Sequence, residues 1–115
     1  MSIYKEFVSS FLPKDILTYF DLIDFKKEGN QLRVYLTEKI DAPIEYQNEH
    51  IQANGFLDEI KVKDFPMRDL FVVLHIKRRR WLLADNNKKV TRNWDLIATG
   101  TRLTSEFSAF LKELT

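Results

Sequence analysis

The sequence predicts a single small α+β domain, in which an antiparallel β-sheet lies between an N-terminal helix and a C-terminal helix. Three observations favour this class: helical spacing of apolar residues at both ends of the chain, period-two alternation between them, and a composition that is 44% hydrophobic over 115 residues. A chain of this length usually forms one domain, and this apolar fraction is enough to bury a core. We therefore expect one domain over residues 1–115.

Apolar residues three or four positions apart predict the two terminal helices. One such stripe consists of Ile3, Phe7 and Phe11 together with Tyr4, Val8 and Leu12. Pro13 ends it and also fits the first turn of a second short helix. The stripe near the C-terminus consists of Leu103, Phe107, Phe110, Leu111 and Leu114. Because residues at this spacing share one face of a helix, both stripes are expected to pack against the core.

Alternation of apolar and polar residues predicts the strands. A hairpin is expected over residues 21–28 and 31–38, with Gly29 and Asn30 in its turn because both tolerate positive φ. Ile60 alternates with lysines on a strand that has one wet face. Residues 70–76 are apolar on both faces, which predicts a central strand.

The central strand is followed by the basic segment over residues 77–81. A turn over residues 85–88 and a returning strand over residues 90–97 complete a second predicted hairpin. Trp81 and Trp94 would then meet as a cross-strand pair.

Strand alternation divides the basic segment between two faces. Lys77 and Arg79 share one face with Trp81, and Arg78 and Arg80 share the other. Because the second face has fewer apolar neighbours, Arg78 and Arg80 are predicted to be the more solvent-accessible pair.

Composition excludes several classes of site. The chain has no cysteine and two histidines, His50 and His75, so thiolate zinc sites, iron–sulfur clusters and cysteine nucleophiles are excluded. No metal, cofactor or enzyme activity is expected, since phosphate-loop, serine-hydrolase and zinc-protease motifs are missing from the sequence. His75 is interpreted as a hydrogen-bonded packing residue. The sequence has neither a signal peptide nor a stretch of about 20 apolar residues, which favours a cytoplasmic protein without membrane contact.

The basic segment predicts nucleic-acid binding. Residues 1–60 have a net charge of −5 and residues 61–115 a net charge of +6. Arginine forks match phosphate oxygens, and tryptophan rings stack on bases. The candidate contacts are Lys77, Arg78, Arg79, Arg80, Trp81, Lys88, Lys89, Arg92 and Arg102. The alternative is that these cations pair with the acidic N-terminal half or serve a protein interface.

Several segments resemble the N-terminal region of insertion-sequence transposases. They are residues 11–13, 19–22, 55–56, 63–68, 74–81, 92–96 and 100–107. The resemblance implies a non-catalytic DNA-binding domain that helps recognise transposon ends and acts with a catalytic transposase subunit or a downstream domain. A protein-interaction module that docks such a partner through the terminal helices is the alternative.

Larger relatives in that family open with a zinc-finger domain, whose cysteine pair follows an arginine-rich aromatic motif. In this chain the corresponding residues 82–84 are Leu-Leu-Ala. The resemblance therefore implies a zinc-free version, in which packing holds the hairpin.

Overall fold

The computed structural model describes residues 6, 8–10, 12, 14–67, 70–94, 110–112 and 114. Its elements in chain order are helix α1 (Lys14–Tyr19), strands β1 (Phe20–Glu28) and β2 (Gln31–Glu38), a 3-10 turn (Ile44–Tyr46), and strands β3 (Ile51–Phe56), β4 (Ile60–Met67), β5 (Leu70–Lys77), β6 (Arg79–Leu83) and β7 (Lys88–Val90). Residues 6, 8–10 and 110–112 are also helical. The predicted α+β class is confirmed.

The strands form two sheets, of order β1-β2-β5-β4 and β3-β6-β7. In the four-stranded sheet, β1 pairs antiparallel with β2 and β4 pairs antiparallel with β5, whereas β2 and β5 are parallel. The central position predicted for residues 70–76 is confirmed. The expectation of a purely antiparallel sheet is wrong for this one pair, because the long connection between β2 and β5, which includes β3 and β4, lets β5 run in the same direction as β2.

The first predicted hairpin is confirmed. Strands β1 and β2 pair from Phe20 opposite Glu38 to Glu28 opposite Gln31, and Gly29 in the turn has φ of 62°. A bulge between residues 22 and 24 shifts the register of β1 by one residue. The extra residue, Ile23, is left 58% exposed.

The main core lies on one face of the four-stranded sheet. Its strand residues include Leu22, Leu32, Val34, Leu36, Val62, Val72, Leu74 and Ile76. The N-terminal and C-terminal segments cover them with Val8, Leu12, Ile16, Phe110, Leu111 and Leu114, all buried. The predicted packing of the two terminal stripes is thus confirmed for their described members, Val8, Leu12, Phe110, Leu111 and Leu114. Ile3, Tyr4, Phe7, Phe11, Pro13, Leu103 and Phe107 lie outside the described residues.

The second predicted hairpin forms, but its returning strand is shorter than predicted. Residues 84–87 form its turn, in which Asn87 has φ of 54°, and the short strand β7 stops at Val90. Trp81 lies opposite Val90, and Trp94 is already in helical conformation. The returning strand predicted over residues 90–97 is therefore wrong at residues 91–94, and residues 95–97 lie outside the described part of the chain.

The Trp81–Trp94 cross-strand pair is also wrong, because Trp94 leaves the hairpin for the main core. Its ring is 3% exposed and stacks on Phe20, with centroids 5.1 Å apart, and it meets the ring of Tyr19 edge-on at 5.9 Å. Burying so large a ring in the main core stabilises the fold more than a partly exposed place in a three-residue strand would.

Candidate nucleic-acid interface

The basic segment lies where the chain passes from one sheet to the other. Strand β5 ends at Lys77 and β6 begins at Arg79, so Arg78 belongs to neither strand. The backbone carbonyl of Arg78 accepts a hydrogen bond from the N–H of Leu57 at 2.9 Å. The junction interrupts the regular alternation that the sequence predicts for residues 77–81.

Buried Glu38 organises much of this junction. Its side chain is in contact with three residues, and we call Glu38, Arg79, Trp81 and Arg92 the Glu38 cluster. Oε1 accepts the backbone N–H of Arg79 at 3.0 Å, and Oε2 lies 3.2 Å from Arg92 Nε and 3.4 Å from Trp81 Nε1. The backbone carbonyl of Glu38 also accepts Arg79 Nε at 2.7 Å. A carboxylate that is 1% exposed therefore has donors on both oxygens.

The sequence contains a signal for this cluster. Glu38 continues the alternation of Leu32, Val34 and Leu36, so strand geometry places it on the same apolar face. A carboxylate in that position needs a buried cation, because an unpaired buried charge is strongly unfavourable. Arg92 is that cation, and it is 8% exposed.

Arg92 has further internal contacts. Its Nη2 donates to the backbone carbonyl of Asp41, and its guanidinium carbon lies 5.8 Å and 5.7 Å from the ring centroids of Tyr19 and Trp94. Both Arg92 and Trp81, which is 2% exposed, are thus part of the protein interior. For these two residues and for the backbone of Arg79, the geometry matches the alternative of pairing with the N-terminal half.

Arg78 and Arg80 are half-buried, whereas Lys77 is exposed. Arg78 Nη1 donates to the carbonyl of Leu114 at 2.9 Å, and Arg80 Nη2 donates to the carbonyl of Phe56 at 3.1 Å. Burial lowers the pKa of the Arg78 guanidinium, and the nearby Glu38 carboxylate opposes that shift. The prediction that Arg78 and Arg80 form the more accessible pair is wrong, because both guanidinium groups fold back onto carbonyls at the junction.

Among the described members of the predicted site, three lysines are exposed. Lys88 and Lys89 lie on β7 in the small sheet, and Lys77 lies at the end of β5 in the large one. The structure does not bring them together with the buried members into one surface. Arg102 lies outside the described residues.

A second basic surface, of which the sequence-based site included Lys77 alone, lies on the sheet face opposite the main core. The pairing registers place Asp24, Tyr35, His75 and Lys61 in one row across the four strands, and Lys26, Arg33, Val73 and Lys63 in the next. Lys77 shares this face through its pairing with Thr37, and Phe71 through its pairing with Gln31. We call this surface the open face.

Charge is unevenly distributed over the open face. The cations among its described residues are Lys26, Arg33, Lys61, Lys63 and Lys77. Among the residues whose side chains the structure describes, its strand carboxylates are Asp21, Asp24 and Glu28, which lie on the edge strand β1. The half formed by β2, β5 and β4 is therefore the basic half.

His75 connects the strands of the basic half. Its Nδ1 lies 2.8 Å from Glu59 Oε1, and its Nε2 lies 3.1 Å from Arg33 Nη1. Since arginine can only donate, Nε2 accepts, and Nδ1–H is assigned as the donor to Glu59. The ring is 5% exposed and stacks on Tyr35 with centroids 4.4 Å apart. The interpretation of His75 as a hydrogen-bonded packing residue is confirmed, and this contact fixes the guanidinium of Arg33 on the open face.

Two clefts divide the open face. One of about 300 Å³ is lined by Gln31, Arg33, Lys61, Lys63, Phe71 and the strand segment 72–73. None of its described lining residues is acidic. The other, of about 270 Å³, contains Asp24 and Glu59 together with Lys26 and Lys77. The first cleft is therefore the better site for an anion.

Within the described part of the chain, no group of three or more histidine, aspartate and glutamate side chains could hold a metal ion. Among the helices described above, none is long and apolar enough to cross a membrane.

Comparisons of this chain with protein-family models, with curated proteins and with solved structures give no match.

Proposed function

We propose that this chain is a non-catalytic DNA-binding domain of an insertion-sequence transposase and that its open face contacts the phosphate backbone. The transposase assignment is supported by the sequence resemblance. The observation that carries the DNA-binding proposal is the set of cations that the strand registers place on one face, namely Lys26, Arg33, Lys61, Lys63 and Lys77.

The physical basis of binding is phosphate neutralisation. Each lysine or arginine that contacts a phosphate releases condensed counterions, and this gain is independent of base sequence. Lys26, Lys61, Lys63 and Lys77 are exposed and can follow a backbone with little rearrangement. Arg33 has five N–H donors, of which His75 accepts one.

The open face is a better candidate than the basic segment, on which the sequence-based site rested. In that segment, contacts of Arg79, Trp81 and Arg92 with Glu38 hold the two sheets together. If these side chains left Glu38 to bind DNA, its buried carboxylate would have no partner, and an unpaired buried charge strongly destabilises the fold. Lys88 and Lys89 remain exposed and provide the rival location for contacts.

A protein-interaction module is the second candidate. The described apolar residues of the terminal helical segments pack in the core, so docking through them would disrupt the fold. Ile40 and Ile44, between β2 and β3, are 69% and 64% exposed and support docking at a different surface. An apolar contact of this kind depends little on salt, whereas binding through phosphates weakens steeply as salt rises.

The double substitution Lys61→Ala with Lys63→Ala is expected to weaken duplex DNA binding on every sequence. Both side chains are exposed on the basic half, so the fold should be unaffected. If each lysine contacts one phosphate, the log–log slope of affinity against salt should become shallower by about 2. Fluorescence anisotropy with a labelled duplex over a series of salt concentrations measures both quantities.

Lys88→Ala with Lys89→Ala is the matched control, since it removes the same charge from two exposed lysines on the small sheet. We expect it to change the salt slope by much less. If only this control lost DNA affinity, the interface would be assigned to the second hairpin instead of the open face. Binding that is insensitive to salt would contradict the DNA-binding proposal itself.

A further inference from the structure

We infer that the basic cleft of the open face binds an unpaired nucleotide of DNA, with the Phe71 ring as a stacking platform for its base. This inference rests on the proposed function, because the same cations would hold the adjoining phosphates. It adds the state of the DNA at this cleft: the base that contacts Phe71 is unpaired, whereas the phosphate contacts of the open face are open to duplex and single strand alike.

Phe71 is an unusual residue for its position. It lies on the central strand β5, yet its side chain is 58% exposed, because it lies on the open face and not in the core. Pairing with Gln31 on one side and Pro66 on the other fixes its backbone, and its N–H donates to the carbonyl of Asn30 at 3.0 Å. The sheet thus presents an apolar ring to solvent from a rigid position. An exposed ring on a fixed backbone is what base stacking requires, and stacking of this kind tolerates any base.

The groups around the ring match the rest of a nucleotide. Arg33, Lys61 and Lys63 line the same cleft of about 300 Å³ as Phe71 and would attract phosphate. Gln31 adds an amide that can donate to and accept from the edge of a base. In the neighbouring cleft, Asp24 and Glu59 offset the charges of Lys26 and Lys77, so that cleft attracts phosphate less strongly. The charges therefore favour the Phe71 cleft as the site of contact.

The state of the DNA follows from the geometry of stacking. Inside a duplex, both faces of each base are covered by neighbouring bases, so a protein ring cannot stack on them without unstacking the helix. A base in a single strand has an accessible face. A second copy of this chain is a poorer occupant than DNA, because a symmetric contact at Phe71 would bring Arg33, Lys61 and Lys63 against the same three cations.

The test compares wild type and Phe71→Ala on two fluorescein-labelled probes, a short oligothymidylate and a blunt duplex of the same length. For Phe71→Ala we expect affinity for the oligothymidylate to fall by about tenfold, and affinity for the duplex to change by less than about twofold. Phe71→Tyr keeps a ring and should bind the oligothymidylate like wild type. Phe71→Leu keeps apolar area without a ring and should bind the oligothymidylate more weakly than wild type. Because Phe71 is largely exposed, the urea unfolding midpoint should be unchanged in all three variants.

Ile23→Ala is the matched control. Ile23 has the same exposed fraction as Phe71, 58%, and lines the other cleft of the open face. We expect this variant to bind both probes like wild type. An equal loss in the Ile23 and Phe71 variants would overturn the assignment of the basic cleft as the stacking site.

Three further outcomes would overturn the inference. In the first, the Phe71→Ala variant binds the oligothymidylate like wild type, while the Lys61 and Lys63 substitutions weaken duplex binding. This result would rule out the stacking site and leave the proposed function in place. Tighter binding of an oligouridylate than of the oligothymidylate would assign the cleft to RNA. A dimer in sedimentation that Phe71→Ala dissociates would identify the occupant as a second copy. If the proposed function itself is wrong, the result is different, because the wild-type protein would then show no salt-dependent binding of either probe.

Discussion

Replacing Glu38 by alanine is expected to lower the free energy of unfolding by about 3–5 kcal/mol. The substitution leaves Arg92, which is 8% exposed, without its carboxylate, and it removes the acceptor of the Arg79 backbone N–H. It also removes a partner that joins the end of β2 to β6. Urea denaturation followed by circular dichroism measures the loss as a lower midpoint at an unchanged slope.

Glu28→Ala is the control for that experiment. Glu28 is an exposed residue at the other end of the β1–β2 hairpin, and its removal should change the free energy of unfolding by less than about 0.5 kcal/mol. If Glu38→Ala were as mild as this control, the Glu38 cluster would not hold the two sheets together. The cations of the basic segment would then again be candidates for DNA contacts.

Trp94→Ala should produce a loss of similar size, about 3–5 kcal/mol. The ring is 3% exposed and fills the space between Phe20 and Tyr19 in the main core. Alanine would leave a cavity there that the rigid sheet cannot close, and it would remove the ring next to the Arg92 guanidinium. Circular dichroism during urea unfolding is the suitable measurement, because the substitution also removes a fluorophore.

Trp94→Phe tests the cause of that loss. It keeps an aromatic ring against Phe20 and should restore a large part of the stability that alanine removes. A loss below about 1 kcal/mol for alanine would mean that the ring is not buried in solution. In that case stacking of Trp94 on DNA bases would again be a reasonable hypothesis.

The spacing of apolar and polar residues predicted those parts of the fold that form between neighbouring segments of the chain. The β1–β2 hairpin follows from alternation around Gly29, and the central position of β5 follows from residues that are apolar on both faces. The parallel pairing of β2 with β5 joins segments that are distant in sequence, and strand periodicity contains no information about such partners. The position of Trp94 is a similar case, since its place in the main core depends on Phe20 far along the chain.

The candidate site was predicted less well, for a related reason. Alternation assigned the cations of the basic segment to strand faces, but it could not show that Glu38 would lie next to Arg79 and Arg92. The open face needs the strand order, because Arg33 and Lys63 come from strands that meet only through β5. Each strand has a recognisable wet face in the sequence, and the sheet topology combines these faces into one surface.

The parallel pair has a consequence that we expect during translation. On the ribosome, β1 and β2 can pair as soon as both have emerged, but the second edge of β2 must wait until β3, β4 and β5 have been made. Until then the nascent hairpin presents a row of unpaired backbone groups, which is a surface for pairing with other nascent chains. Pairing of β5 with β2 closes that edge and joins the β1–β2 pair and the β4–β5 pair into one sheet. We therefore expect the arrival of β5 to set the rate of folding, since pairing across such a distance is slow compared with hairpin closure.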